Sequence, residues 1–333
     1  MPPIAPPRSP ARRSLLAGAL ASPALMAAGP IAARIPAEED PAVAGNAALY
    51  RTRVGAIRVT VLSDGQIEFP AWPAYAPDAT QAEVAAALRR RHLSPPNYRL
   101  DLNAVLIETA AGRVLLDTGW AGFAPGLGRL DRGLRAAGLA PGDIDLVVLT
   151  HLHPDHVGGL SEPDGTAAFE RAEILVAAPE LAQWQAGPDF GAMRIDARLR
   201  PVFEAAAATV TALGSQLRAV GPAEEILPGL TLWALPGHTR GHSGLEIASD
   251  GERLVCAGDT FHDQAFDLDQ PGWATAFDYD PHQAEATRRR LLDAASSDGT
   301  RLLAYHMPFP GLGRVARAGE GYLWTPERWQ LTP

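Results

Sequence analysis

Three imidazoles and a carboxylate crowd into six residues, His151-Leu152-His153-Pro154-Asp155-His156, directly after the apolar run at 146–149. No other stretch constrains the fold as much. A β-strand sends alternate side chains to one face, so His151 and His153 can leave the strand end together and share a metal ion. The chain then turns, and Asp155 and His156 can face a second ion. Imidazole and carboxylate suit zinc, with iron, manganese or cobalt as alternatives. A lone histidine is more often a packed or surface residue; three at this spacing, with an aspartate among them, point to metal. One segment cannot fill two coordination shells, so the fold must bring distant donors to the same place.

The rest of the chain offers such donors where strands end. Short β-branched runs predict strands at 57–62, 104–108, 113–116, 146–149, 174–176, 230–235, 244–247, 254–257 and 302–305. Helical patterns fall at 81–91, 127–137, 180–185 and 284–295. The last holds Arg288, Arg289 and Arg290 in a row, read here as a solvated face. Strands come first in pairs and then alternate with helices, which predicts a layered α/β domain with mixed sheets. Asp117, His238, Asp259 and His306 each follow a predicted strand. Donors that collect at one end of a sheet are what an α/β active site requires. With the opening run, His238, Asp259 and His306 make five histidines and two aspartates, enough for two sites with a shared carboxylate.

Composition removes several classes. All 29 basic residues among the 333 are arginines, so a Schiff-base or P-loop lysine mechanism is excluded. A formal charge of −9 argues against nucleic acid as a partner, because phosphate binding needs basic patches. The single cysteine, Cys256, permits no internal disulfide and no cysteine-based zinc cage, and reads as a small buried hydrophobe. The only long apolar stretch is N-terminal, so no membrane span is expected in the mature chain. Arg12-Arg13, the apolar run after them and the small residues around 27–33 predict a twin-arginine signal over 1–33 and a periplasmic or secreted protein. A disordered Pro-rich tail is the plain alternative. Residues 34–50 read as a linker or lead-in segment, and 51–333 as one catalytic domain.

The segments HLHPDHVGG (151–159), PGHTRGHSG (236–244), GDT (258–260) and the single His306 resemble the metallo-β-lactamase superfamily, over a stretch from about Ile57 to the C-terminus. DTG (117–119), GLGRL (126–130), AAGLAPGDIDLVVLTHLHPDHVGGL (136–160) and HMPFPGLGRV (306–315) narrow the likeness. They resemble the branch holding methyl parathion hydrolase and related secreted lactonases. The resemblance implies an αββα sandwich of two mixed β-sheets flanked by helices, with two divalent metal ions, zinc first among candidates, at one edge. It further implies that His151, His153 and His238 bind one ion, that Asp155, His156 and His306 bind the other, and that Asp259 bridges them. A bridging Asp259 separates the chain from true β-lactamases, and His153 from the flavodiiron branch. Arg240 departs from the family pattern, which more often has Pro there.

Two metals roughly 3.5–4 Å apart can lower the pKa of a bridging water and polarise the bond it attacks. The expected activity is therefore metal-dependent hydrolysis of a small lactone, aryl ester or organophosphate triester, with Asp155 and Asp259 as the catalytic carboxylates. A thioesterase of the glyoxalase II kind or a sulfur dioxygenase is the alternative enzyme. An exported metal-binding scaffold is the alternative without turnover. Asp64, Asp117 and His242 are expected to orient the imidazoles. His92, His262 and His282 fit no ligand slot, although His262 is near enough to Asp259 to line the pocket. Phe123, Trp184, Phe190 and Trp273 are the expected aromatic contacts to substrate, with ordinary core packing as the competing explanation. A homodimer stays open as a further partnership.

Overall fold

The computed structural model describes residues 49–332 apart from Gly122, Pro125 and Pro163, so the expected signal and most of the expected linker lie outside the described residues. Two seven-stranded sheets form in chain order. The first holds β1 (Leu49–Val54), β2 (Ile57–Phe69), β3 (Tyr98–Thr109), β4 (Gly112–Leu116), β5 (Leu146–Leu149), β6 (Glu173–Ala177) and β7 (Leu217–Val220), each hydrogen-bonded to the next. β1 to β4 run antiparallel, and β4 to β7 run parallel. The second holds β8 (Glu224–Leu227), β9 (Leu230–Ala234), β10 (Ser243–Ser249), β11 (Glu252–Cys256), β12 (Arg301–Leu303), β13 (Leu312–Ala318) and β14 (Gly321–Pro326). Its only parallel pair is β11 with β12, joined by the helix Pro281–Asp298.

Side-chain alternation explains the layering. In β5, Leu146 and Val148 turn toward the other sheet and meet a core that includes Leu245, Leu254 and Cys256. Val147 and Leu149 turn outward onto Leu134, Leu181, Phe203 and Val210, which belong to the helices Leu130–Ala136, Ala178–Gln185 and Arg200–Ala212. A strand buried on both faces needs a continuous apolar run, and Leu146-Val147-Val148-Leu149 supplies it. On the far side, Val255 and Leu302 pack on Leu291, Leu292 and Ala295 of helix Pro281–Asp298. Burying each such side chain contributes about 1.5–3 kcal/mol before entropy is counted. The result is the expected αββα sandwich.

Helix ends follow from local chemistry. Thr80 and Glu83 form a reciprocal capping box that starts Gln81–Arg90. Asp280 caps Pro281–Asp298, which ends on Gly299 in the left-handed region (φ 70°). The helix expected from 127 starts only at Leu130, because Gly126 and Gly128 hold positive φ before it.

Leu49 and Tyr50, the last residues of the segment read as a linker or lead-in, pair with Leu62 and Val61 at the start of β1. Two expectations need correction. Helix Arg200–Ala212 went unpredicted; its apolar face, Phe203, Ala206 and Val210, is thin among alanines and threonines. Arg288 is not on a solvated face: it is 1% exposed, and it donates to the carbonyls of Thr260, Pro271 and Trp273. Cys256 is buried in the inter-sheet core, where burial pushes its thiol pKa up to about 12. No described helix is long and apolar enough to cross a membrane.

Candidate metal centre

The polar residues singled out above gather where β4, β5, β9, β11 and β12 end. His151 leaves β5, His153 immediately precedes the one-turn helix Pro154–Val157, and Asp155 and His156 lie within that turn. Gly237, at φ 132°, lets the His238 loop touch a neighbouring helix: a Cβ there would lie 2.2 Å from the backbone nitrogen of Ala284. Asp259 follows β11 and His306 follows β12.

Asp259 is the hub. Its Oδ2 lies 3.1 Å from His306 Nε2, 3.5 Å from His238 Nε2, 3.5 Å from His262 Nε2 and 3.9 Å from His151 Nε2. Its Oδ1 lies 3.3 Å from His156 Nε2. Asp155 Oδ2 stands 3.4 Å from His306 Nε2 and 3.8 Å from His156 Nε2. Donor atoms close enough to share an ion occur in the sets His151/His153/His238, His151/His156/Asp259, Asp155/His156/His306 and His238/Asp259/His262. The seven expected ligands are thus brought together. His262, expected to fit no slot, stands among them.

The imidazoles are aimed from behind. His156 Nδ1 meets Asp117 Oδ2 at 2.9 Å, and His238 Nδ1 meets Asp278 Oδ1 at 2.8 Å. His262 Nδ1 faces Asp267 Oδ2 at 3.2 Å, and Arg288 braces that carboxylate at 3.4 Å. His306 Nδ1 donates to the carbonyl of Asp101 at 2.9 Å. A partner on Nδ1 fixes the ring and turns Nε2 toward the centre. His242 acts differently: its Nδ1 donates to the Leu235 carbonyl, and its Nε2 accepts the backbone N–H of Asp259. Asp64 corrects the expectation, for it orients no imidazole. It accepts the backbone N–H groups of Trp120, Gly128 and Leu130 and so holds the loop beside the cavity.

The cluster fits metal ions by its unmet valence. Nε2 of His151 and His156 and Oδ1 of Asp259 are buried with no hydrogen-bond partner among the described residues, while His153 turns its Nδ1 to His238 Nε2 at 3.0 Å. Each such atom would ordinarily cost about 1–3 kcal/mol, and buried polar atoms are normally paired. Burial, aided by neighbouring histidines, pushes His151 and His153 well below the usual histidine range and leaves their lone pairs free. Burial also opposes charge on His262 and His306, but nearby carboxylates outweigh it and raise them to about 10 and about 9. Burial would likewise raise Asp155, yet His156 and His306 hold it down at about 2.

A small cavity of about 70 Å³ opens in front of the donors. Its walls are apolar, chiefly Phe69, Tyr75, Leu100, Trp120, Phe203 and Phe277, and among the described residues no arginine lines it. None of the four expected aromatic contacts is among these. Trp184 is 1% exposed and packs behind His153, with ring centroids 6.2 Å apart. Phe190 packs on the core side of Phe203, and Trp273 packs near Phe266. Phe123 is 48% exposed and stacks on Trp120 in a neighbouring groove. His92 and His282 are exposed and belong to none of the donor sets. Arg240 is exposed and pairs with Asp189 at 3.4 Å.

The family model described as the Metallo-beta-lactamase superfamily matches residues 98–306, from β3 through the last expected ligand. The chain belongs to the metallo-beta-lactamase superfamily. Within the superfamily, it is 31% identical over 209 residues to human metallo-beta-lactamase domain-containing protein 1, covering 61% of this chain and 63% of the relative. The mouse protein of that description is 30% identical over 258 residues, covering 72% and 80%. Among solved structures, the dizinc quorum-quenching lactonase AidC, in complex with the product N-hexanoyl-L-homoserine, superposes with a TM-score of 0.80 at 26% identity. That match covers 85% of this chain and 98% of AidC. The hydrolase AbOPH of the same superfamily gives 0.77 at 27% identity, covering 86% and 99%.

Proposed function

We propose that the protein is a two-metal hydrolase of neutral, apolar lactones and esters, with organophosphate triesters as further substrates. The observation that carries this reading is the meeting of unsatisfied donors with a cavity that offers no cation beyond imidazole. His151, His153 and His238 would hold one ion, and Asp155, His156 and His306 the other, with Asp259 shared. Such a pair of divalent cations supplies a low-pKa water as nucleophile and a Lewis acid for the substrate's carbonyl or phosphoryl oxygen.

The chain's own residues do the rest. Asp155, which lines the cavity and turns Oδ2 to His156 and His306, would take the proton of the attacking water on its other carboxylate oxygen and return it to the leaving alkoxide. The aromatic walls exclude bulk water and hold an acyl or aryl group by area burial. A wall without arginine leaves carboxylate-bearing substrates unpaired, which disfavours β-lactams and glutathione thioesters. AidC, a lactonase by name, supports the lactone end of the range.

The test is a panel on purified, metal-replete protein: an acyl-homoserine lactone, an aryl ester, a phosphotriester, a β-lactam and a glutathione thioester. Turnover of the first three and none of the last two is expected. A preference for the thioester, or no turnover at all, would sink the reading.

A further inference from the structure

Glu180 is a buried carboxyl group in a place where no cationic side chain among the described residues meets it. It lies in the first turn of helix Ala178–Gln185, is 0% exposed, and has no ion pair among the described residues. Its two oxygens accept four hydrogen bonds. Oε1 takes the backbone N–H of Leu152 at 3.0 Å and Trp184 Nε1 at 3.0 Å. Oε2 takes Thr239 Oγ1 at 2.6 Å and the backbone N–H of Gly241 at 3.0 Å.

The identity of those donors matters. Leu152 sits between His151 and His153, while Thr239 follows His238. One carboxylate therefore ties together the two loops that carry His151, His153 and His238. None of its bonds reaches the backbone or side chains of Asp155, His156 or His306. The second loop rests directly on the helix: a Cβ at Gly241 would lie 2.2 Å from the Glu180 backbone nitrogen. A buried carboxylate without a cation is costly and raises its own pKa, as burial does here. Its position in a helix first turn offsets part of that cost. Trp184, an aromatic that reads in the sequence as a substrate contact, serves instead to complete this donor set.

We propose that Glu180 is a positioning residue for one half of the metal centre, fixing the spacing of His151 and His153 to His238. The inference rests on the two-metal reading above. Glu180→Gln keeps the size but turns an amide NH₂ toward hydrogen-bond donors. The experiment loads full-length protein with Co²⁺ and follows stoichiometry by metal analysis, and each site by the visible absorption of the bound ion. Glu180→Gln should weaken one ion by about 10- to 100-fold and leave the other at wild-type affinity. Thr239→Val, a gentler change that removes one donor of the same set, should shift the same ion less. Folding of each variant is checked by circular dichroism. A folded Glu180→Gln that binds both ions as wild type does, or weakens both equally, overturns the inference. If Glu180→Gln does not fold, an unchanged cobalt spectrum and affinity in Thr239→Val overturns it. A wild-type protein that takes fewer than two ions overturns the two-metal reading and this inference with it.

Discussion

The two ends of β11 and β12 open onto opposite kinds of cavity. Where the strands begin, a groove of about 910 Å³ is walled by Arg53, Arg253, Arg301, Arg314 and Arg328, with Glu252, Asp298 and Glu327 among them. Where the same strands end, the cavity before Asp259 and His306 holds about 70 Å³. The large groove looks the richer site by size and charge. Its polar groups, however, are largely spoken for. Arg301 binds both oxygens of Glu327 and donates to Thr52 Oγ1 and the Arg53 carbonyl, while Arg253 reaches Glu246 and Asp298. In the donor cluster behind the small cavity, Nε2 of His151 and of His156 and a carboxylate oxygen of Asp259 are buried without a hydrogen-bond partner among the described residues. Unmet valence, not volume or charge, separates a place built for ligands from a place built for stability.

The contrast can be broken most directly at its hub. Asp259→Ala should take turnover to background and strip metal from the protein, measured by metal analysis beside the hydrolysis panel; full metal content in this variant would remove the hub role. Asp117→Asn should weaken metal affinity by about 10- to 100-fold through His156, read by chelator competition. An unchanged affinity would mean that Asp117 only serves the Thr150 turn, whose N–H and hydroxyl it also accepts. At the other end, Arg301→Met should cost about 1.5–3 kcal/mol in a denaturant titration while leaving turnover and metal content alone. Lost turnover there would show that the groove takes part in function. The smallest effect belongs to Phe123→Ala, whose half-exposed ring touches the cavity only through Trp120: stability should move by less than about 0.5 kcal/mol, and a large loss of activity would return Phe123 to the substrate path.

Much of the fold is legible because its signals are local. Leu146-Val147-Val148-Leu149 followed by the histidine run reads as a buried strand ending in ligands, and it is one. His238, Asp259 and His306 are findable because each follows a β-branched run. Of the residues behind the ligands, Asp117 is findable by the same rule, since it too follows a β-branched run and meets His156; most others are not. Asp267, Asp278 and Glu180 are acids in short loops or a first helical turn, and they become partners of His262, His238 and Leu152 only when chain segments 5 to 40 residues apart converge. Aromatic character gives no direction either: Trp184 and Phe203 stack on each other with ring centroids 6.3 Å apart, yet only Phe203 meets the cavity. That ring belongs to the helix whose alanine-rich sequence hid its apolar face. Arg288 was misread for the related reason that three adjacent arginines occupy three different faces of a helix.

The order of the strands has a practical consequence. β7 ends at Val220 and β8 begins at Glu224, so the short connection 221–223 divides the chain into one polypeptide per sheet. The run His151 to His156 falls in the first piece; His238, Asp259 and His306 fall in the second. Cut there, neither fragment would keep all seven donors, and each would expose its half of the inter-sheet core that joins Val148 to Leu254. The centre is thereby a property of the joined sheets and of neither piece alone.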